Sequence, residues 1–147
     1  MKKLLFPAAA IAALAVGGQA LAADHQVKML NMGADGIMVF EPGFVKAAPG
    51  DTVTFVAADA SHDATAVFGP EGAELWAGAI NEGLTVTLDK EGVYIYKCTP
   101  HLALGMVGVI QVGEAHNLEA AKKAAADLSA TMATNKDRLG KYLEQVN

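Results

Sequence analysis

The sequence has a single cysteine, few charged residues and no run of lysine or arginine. One cysteine cannot form an internal disulfide, which excludes a small fold stapled by such bonds. A net charge of −5 with no basic cluster excludes a nucleic-acid-binding protein. Of the 147 residues, 52% are hydrophobic, which excludes a disordered chain and suffices for the core of one domain.

The chain opens with the features of a secretory signal peptide. Two lysines precede an apolar stretch at residues 4–16, and Ala20-Leu21-Ala22 is a cleavage motif of the A-x-A type. The apolar stretch is too short to span a bilayer comfortably, so a membrane anchor is the weaker interpretation. We therefore expect residues 1–22 to be removed and a soluble, periplasmic chain to begin at Ala23. Because two lysines leave with the leader, the net charge becomes −7.

Over most of the mature chain, short apolar runs alternate with turn signals. Residues 52–56 and 85–88 alternate apolar and polar side chains and are rich in β-branched residues, a pattern typical of strands with one buried face. Residues 93–97 and 106–112 form further apolar runs. Seven or eight short strands of this kind predict a mainly β fold, an antiparallel sandwich to which we assign residues 23–113.

The composition changes after the predicted sandwich, where alanine and other helix-forming residues become frequent. Asn117 is predicted to cap a first helix that extends to about Leu128. A second helix is predicted from about Thr134 to Glu144. Its apolar stripe consists of Leu139, Tyr142, Leu143 and Val146. We expect residues 114–147 to form two helices that pack on one face of the sandwich, and we assign no chemistry to them.

The residues that carry chemistry follow the predicted strand at 93–97. Cys98, His101 and Met106 form the pattern Cys-x2-His-x4-Met, so one short loop presents a thiolate, an imidazole and a thioether. Thiolate and thioether are soft ligands that suit copper, and imidazole suits both of its oxidation states. Export makes the thiol notable, because an unpaired cysteine in an oxidising compartment needs a partner or an occupant, and a metal is such an occupant.

An electron-transfer copper site needs two histidines and one cysteine in a plane, with a distant axial methionine. His62 is the best candidate for the second histidine, because it follows a strong strand and a turn and can lie at the same end of the sandwich as Cys98. We expect His25, at the frayed mature N-terminus, and His116, beyond the sandwich, to be exposed and without function. Taken singly, each residue also has an ordinary interpretation as a buried cysteine, a core methionine or a surface histidine.

The segment Cys98-Thr99-Pro100-His101, followed by Gly105-Met106, resembles the type 1 copper loop of the cupredoxins, and within them the chain is similar to the pseudoazurins. Further segments that carry the resemblance are 27–31 (VKMLN), 38–42 (MVFEP), 49–53 (PGDTV), 70–72 (PEG) and 80–82 (INE). The resemblance implies a Greek-key sandwich with a helical tail and a carrier of single electrons that is not an enzyme. It also implies one copper ion per chain, with the ligands His62, Cys98, His101 and Met106.

Two features depart from the pseudoazurin pattern. The residue after the first ligand histidine is Asp63, where the family has asparagine, and we expect its charge to favour Cu(II) and lower the reduction potential. Lys46 and Lys97 match basic positions around the copper edge. Three further positions where lysines are expected are occupied by Met32, Ala60 and Ala79. Long-range attraction to an acidic partner is therefore expected to be weak.

The surface around His101 is expected to dock redox partners. The docking candidates are Met38, Lys97, Pro100, Leu102 and Leu104. The resemblance implies transient partners, either copper nitrite reductase, another denitrification reductase or a c-type cytochrome, and we expect a monomer with no nucleic-acid or membrane partner. The alternative function is a periplasmic protein that binds and delivers copper, which the scattered methionines do not favour.

Overall fold

This computed structural model describes residues 20–147, which contain eight β-strands, one 3-10 turn and two helices. The strands are β1 (Asp24–Gly33), β2 (Gly36–Glu41), β3 (Phe44–Ala47), β4 (Asp51–Val56), β5 (Thr65–Phe68), β6 (Leu84–Leu88), β7 (Gly92–Lys97) and β8 (Val107–Val112). The 3-10 turn spans Leu102–Leu104, and the helices are α1 (Leu118–Ala130) and α2 (Arg138–Leu143). Within this part of the chain, neither helix is long and apolar enough to cross a membrane. Most of the predicted signal peptide, residues 1–19, lies outside the described residues.

The strands form two four-stranded sheets, with the order β2-β1-β4-β6 in the first and β3-β8-β7-β5 in the second. The predicted class, a mainly β sandwich with two C-terminal helices, is confirmed. The expectation of purely antiparallel sheets is wrong, because β1 runs parallel to β4 and β3 runs parallel to β8. The chain leaves the first sheet after β2 and returns after β3, so β4 enters beside β1 in the same direction.

The main core lies between the two sheets, and a second core lies under the helices. Burial alternates along β4, where Val53 and Phe55 face the core, as the sequence pattern predicts for a strand with one buried face. β7 and β8 are buried along nearly their whole length. The helices cover the outer face of the second sheet, where Ile95 and Val109 pack beneath them. This extra layer explains why β8 is buried on both faces.

The helical tail differs from its predicted form at two points. The Asn117 side chain does not cap α1; instead it accepts from Val93 N at 2.7 Å and donates to Val93 O at 3.0 Å, which ties the tail to β7. α2 begins at Arg138, later than predicted, because Asn135 has a φ of 53° and interrupts helical geometry. The predicted apolar stripe does pack on the second sheet, and its members there are Leu139, Tyr142, Leu143 and Val146.

Candidate metal centre

The loop between β7 and β8 is closed by its own main-chain hydrogen bonds. Cys98 N donates to Met106 O at 2.9 Å, and Met106 N donates to His101 O at 3.3 Å. Between them, Gly105 N donates to Leu102 O at 2.8 Å. Gly105 has a φ of 77°, a conformation that glycine adopts without steric cost. The spacing Cys-x2-His-x4-Met therefore corresponds to a compact loop that begins and ends beside the same two strands.

His62 reaches the same end of the sandwich from the loop between β4 and β5. Its side chain is fully buried, and its main-chain oxygen accepts from Asn81 N at 2.9 Å. The ring Nε2 lies 2.9 Å from Asn31 Oδ1. Because an amide oxygen only accepts, the ring proton lies on Nε2 and the Nδ1 atom carries a free lone pair. The ring is thus held with Nδ1 available as a ligand.

Three potential ligand atoms converge at this end of the sandwich. His62 Nδ1 lies 3.1 Å from His101 Nδ1, and Cys98 Sγ lies 3.7 Å from the first nitrogen and 3.5 Å from the second. Within residues 20–147, this is the one group of three His, Cys, Asp or Glu side chains with ligand atoms close enough to share an ion, all within 4.8 Å of one another. Two imidazole nitrogens and a sulfur suit copper or zinc.

The protein surroundings favour the neutral forms of Cys98 and His62. Burial raises the pKa of the Cys98 thiol to about 11, and main-chain N–H groups of Asp63 and His101 offset this only in part. Burial lowers the pKa of His62, and the charge of His101 lowers it further. Neutral imidazole is therefore ready to bind a metal, whereas the thiolate forms only when a cation displaces its proton.

Comparison with known proteins identifies the kind of site. Residues 27–113 match the family described as copper binding proteins, plastocyanin/azurin family. Pseudoazurin of Paracoccus pantotrophus is 48% identical over 143 residues, which is 95% of this chain and 95% of that protein. Pseudoazurin of Methylorubrum extorquens is 42% identical over 124 residues, 82% of this chain and 84% of that protein. The crystal structure of native pseudoazurin from Hyphomicrobium denitrificans has a TM-score of 0.77 and 40% identity, covering 84% of this chain and 98% of that chain.

This chain belongs to the pseudoazurins. The resemblance inferred from the copper loop is therefore confirmed, and so is copper as the cofactor, with one type 1 ion per chain. The family is one of electron carriers. The converging sulfur and nitrogen atoms fit the donor set that such a copper ion requires.

Asp63, which directly follows His62, joins the two loops that carry the ligand candidates. Its side chain is buried, and Oδ1 accepts from Thr99 N at 2.5 Å while Oδ2 accepts from Thr65 Oγ1 at 3.4 Å. The main-chain N–H of Asp63 lowers the pKa of Cys98, whereas its carboxylate raises it. Asp63 therefore links the two loops and places a carboxylate close to Cys98.

The Asp63→Asn variant is expected to have a higher reduction potential than the unmodified protein. Asparagine keeps a carbonyl oxygen that can accept from Thr99 N, but it carries no negative charge. Because a negative charge near the copper stabilises Cu(II) more than Cu(I), its removal raises the potential. A negative charge close to a metal in a partly screened site changes the free-energy difference between the two oxidation states by on the order of 1–3 kcal/mol, or roughly 40–130 mV for one electron. Voltammetry of the copper-loaded protein measures the shift. Glu82→Gln, which removes an exposed charge, is the control, and an unchanged or lower potential in Asp63→Asn would contradict the prediction.

The helical tail holds the ligand loop, a role that the sequence analysis did not assign to it. Donors from the segment that precedes and opens α2 bind three consecutive carbonyl oxygens of the loop. The bonds run from Ala133 N to Ala103 O at 2.8 Å, from Asn135 Nδ2 to Leu104 O at 2.9 Å and from Arg138 Nη1 to Gly105 O at 2.7 Å. Because Gly105 directly precedes Met106, the tail restrains the part of the loop that carries this thioether.

Arg138 is the centre of this contact. Its side chain is buried, although arginine is usually an exposed residue. Nη1 donates to Met38 O at 2.8 Å as well as to Gly105 O, and Nη2 donates to Asp35 O and Ile37 O at 3.2 Å each. One side chain thus joins the tail, the β1–β2 turn with the start of β2, and the ligand loop. The one sequence signal for this role was the position of a charged residue directly beside the apolar stripe of the helix, because that part of a helix is usually buried.

The residues predicted to dock partners differ in exposure. Pro100 is exposed, and the half-buried candidates are Met38, Lys97, Leu102 and Leu104. Met38 packs against the core cluster that contains Cys98, and Leu102 packs against the cluster beneath the helices. His101 is half-buried whereas His62 is fully buried, so His101 is the histidine of the cluster that lies nearer to solvent.

The two remaining histidines lie outside the cluster. His116 is exposed, as expected, and its Nδ1 lies 3.2 Å from Glu114 O. His25 is not frayed as predicted, because it is part of β1 and its Nε2 donates to Asp51 Oδ2 at 2.8 Å. The expectation that His25 is exposed at a frayed terminus is therefore wrong, and the reason is a carboxylate that lies 26 positions later in the chain.

Proposed function

We propose that this protein is a periplasmic electron carrier whose type 1 copper is held by His62, Cys98, His101 and Met106. The observation that supports this most directly is the approach of His62 Nδ1, His101 Nδ1 and Cys98 Sγ to within 4.8 Å of one another. Met106 is fully buried in the same core cluster as Cys98 and ends the loop that carries His101. When bound, the copper supplies a one-electron couple between Cu(II) and Cu(I).

The residues around the site keep the ligand atoms in place, so that both oxidation states meet nearly the same donors. Asn31 holds the His62 ring through Nε2, and the main-chain bonds between Cys98, His101 and Met106 close the loop. Such supporting contacts orient ligands and tune their donor strength. His101 lies nearer to solvent than His62, and we place the exit of the electron there.

We propose electron transfer without catalysis. Four protein ligands leave no open coordination position for a substrate, unlike a catalytic metal site. The second candidate function is copper binding and delivery, which would favour thioethers gathered at one accessible place. Met106 and Met132 are instead buried in separate clusters, and Met32 is exposed on β1. This scatter supports the carrier function over delivery.

We propose that redox partners bind transiently around His101, at a docking surface made of Met38, Lys97, Pro100, Leu102 and Leu104. The family resemblance suggests a copper nitrite reductase, another denitrification reductase or a c-type cytochrome as the partner. A mature net charge of −7 makes long-range attraction to an acidic patch weak, so apolar contacts carry more of the recognition. A carrier that must release its partner quickly is best served as a monomer with a small interface.

We propose that residues 1–22 are a signal peptide, that 23–113 form the copper-binding sandwich and that 114–147 form its helical tail. Cleavage after Ala22 leaves the strands intact, because β1 begins at Asp24. The mass of the protein recovered from the periplasm tests the processing, and a first residue other than Ala23 would contradict it.

Copper loading followed by voltammetry tests the proposed carrier function. With one equivalent of Cu(II), the mature chain is expected to show an intense visible thiolate-to-copper band, a reversible one-electron wave and fast electron self-exchange. The His116→Ala control should behave in the same way. Weakly coloured copper binding with an irreversible wave would instead favour copper delivery.

The Met106→Gln variant is expected to keep copper but to have a lower reduction potential. The amide oxygen of glutamine is a harder donor than a thioether and stabilises Cu(II) relative to Cu(I). Voltammetry is the measurement, and Met32→Gln, at an exposed position on β1, should leave the potential unchanged. A raised potential in Met106→Gln would count against Met106 as a copper ligand.

A further inference from the structure

The first residues of the proposed mature chain, at the start of β1, contact one carboxylate, that of Asp51 at the start of β4. Ala23 N donates to Asp51 Oδ1 at 2.8 Å, and His25 Nε2 donates to Asp51 Oδ2 at 2.8 Å. Ala23 and Asp24 are exposed and His25 is half-buried, whereas Asp51 is buried. A histidine thus lies at the third position of the mature chain, with its ring already oriented by an acidic residue.

The contact with Asp51 selects which ring nitrogen of His25 can bind a metal. Because a carboxylate oxygen accepts, the proton lies on Nε2 and Nδ1 is left with a free lone pair. Histidines that bind metals usually donate their other ring N–H to a carboxylate, a main-chain carbonyl or water, and here the partner is a carboxylate. From the third residue of a chain, Nδ1 is the nitrogen that closes a six-membered chelate ring with the residue's own amide nitrogen.

We propose that the mature N-terminus, Ala23-Asp24-His25, binds a second Cu(II) ion in a planar site of four nitrogens, an inference that rests on the processing proposed above. The ligands are the α-amino nitrogen of Ala23, the amide nitrogens of Asp24 and His25, and His25 Nδ1. Binding releases three protons, one from the α-ammonium group and one from each amide, and no electron is transferred. Square-planar nitrogen ligation is typical of Cu(II) and Ni(II), and neither Asp24 nor His25 is a proline that would lack the amide proton.

Formation of this chelate disturbs only the first residues of β1, at one end of the sandwich. Neighbouring amides of an extended strand point in opposite directions, so Asp24 and His25 must leave their pairing with Thr52 and Val53 of β4. The bond from Thr52 N to Ala23 O, at 2.9 Å, is then strained or lost. The fully buried residues of β1 begin at Val27, so the core beneath the first sheet is retained.

The proposed site lies far from the type 1 centre. Asn31, which holds the His62 ring, follows His25 by six positions on the same strand, which corresponds to about 20 Å. The two copper ions would therefore bind independently and give separate spectra. Type 1 copper gives an intense thiolate band, whereas a four-nitrogen site gives only a weak visible band.

A second copper titration tests the inference. Mature protein that begins at Ala23, checked by mass, is loaded with one equivalent of Cu(II) and then titrated further in the presence of glycine as a competing chelator. The expected result is one more tightly bound equivalent, with nitrogen splitting in its electron paramagnetic resonance signal and no change in the type 1 band. Absence of that second equivalent would overturn the inference.

Three variants separate this site from other surface copper binding. A chain that begins at Ala22 keeps every side chain but moves His25 to the fourth position, and it should lose the second equivalent. His25→Ala should lose it too, while His116→Ala should keep it. Retention of the second equivalent in either of the first two chains would show adventitious binding and overturn the site.

The outcome is distinguishable from a failure of the proposed function. Cys98→Ser should lose the type 1 band yet still bind copper at the N-terminus. If the unmodified chain lacks the type 1 band but binds copper at Ala23-Asp24-His25, the carrier function fails and the new site stands. If periplasmic protein begins at another residue, the site is overturned for the natural protein.

Discussion

The Cys98→Ser variant is expected to lose the intense visible absorption of the copper-loaded protein completely. The band requires a thiolate bound to Cu(II), and a serine hydroxyl supplies no soft, polarisable sulfur and does not ionise near neutral pH. The change replaces one atom in a fully buried side chain whose sulfur lies 3.7 Å from His62 Nδ1 and 3.5 Å from His101 Nδ1. Copper affinity should fall by more than the roughly 10–100-fold that loss of a supporting residue costs.

The measurement is an absorption titration with Cu(II), accompanied by circular dichroism of both metal-free proteins. Similar dichroism would show that the fold survives, as expected for so small a change in volume. An intense band that persists in Cys98→Ser would contradict the assignment, because Cys98 is the only cysteine in the sequence. Slow alkylation of Cys98 in the folded metal-free protein is a second expected result, since burial raises its pKa to about 11.

The Arg138→Met variant is expected to lose about 3–5 kcal/mol of the free energy of unfolding. Methionine has a similar length but no donors, so the carbonyl groups of Asp35, Ile37, Met38 and Gly105 lose the guanidinium that binds them. A hydrogen bond to a charged group contributes roughly 1.5–3 kcal/mol, and a buried carbonyl without a partner costs about as much. Relief of the desolvation of the arginine offsets part of this loss.

Urea unfolding of the metal-free protein, followed by Trp76 fluorescence, measures this effect. Lys141→Met is the matched control. It also removes a cation from α2, but Lys141 is exposed and pairs with Asp137, which is exposed too. An exposed pair of this kind contributes little to stability, because solvent screens it. A loss in Arg138→Met as small as in the control would contradict the prediction.

The copper-loaded Arg138→Met protein gives a second readout. Arg138 restrains Gly105, which precedes Met106, so its loss should loosen the thioether and change the electron paramagnetic resonance signal and the relative intensities of the visible bands. Lys141→Met should leave both unchanged. Equal spectra in all three proteins would limit Arg138 to a role in stability.

The parts of the fold and site that the sequence predicted correctly depend on neighbouring residues. Alternation over 52–56 predicted a strand with one buried face, and β4 has that burial pattern. The spacing of Cys98, His101 and Met106 predicted that one loop carries all three side chains, and main-chain bonds do close the chain there. Local patterns of this kind are visible in sequence because strand periodicity and loop length are set within a few residues.

The features that the sequence analysis missed join residues that lie far apart in the chain. Asn31 holds His62 across 31 positions, and Arg138 reaches Met38 across 100. The parallel pairing of β1 with β4 likewise depends on where the chain crosses between sheets. No local periodicity encodes such pairs, because each donor could satisfy its hydrogen bonds in many other ways.

The sequence by itself determined the class of fold, the pseudoazurin resemblance and the residues offered as copper ligands. Only the tertiary structure decided how those residues are supported, and it gave the tail a role at the ligand loop and His25 a carboxylate partner. The physical reason is that ligand type follows from side-chain chemistry, whereas orientation follows from contacts. Those contacts form only when the two sheets and the tail have packed together.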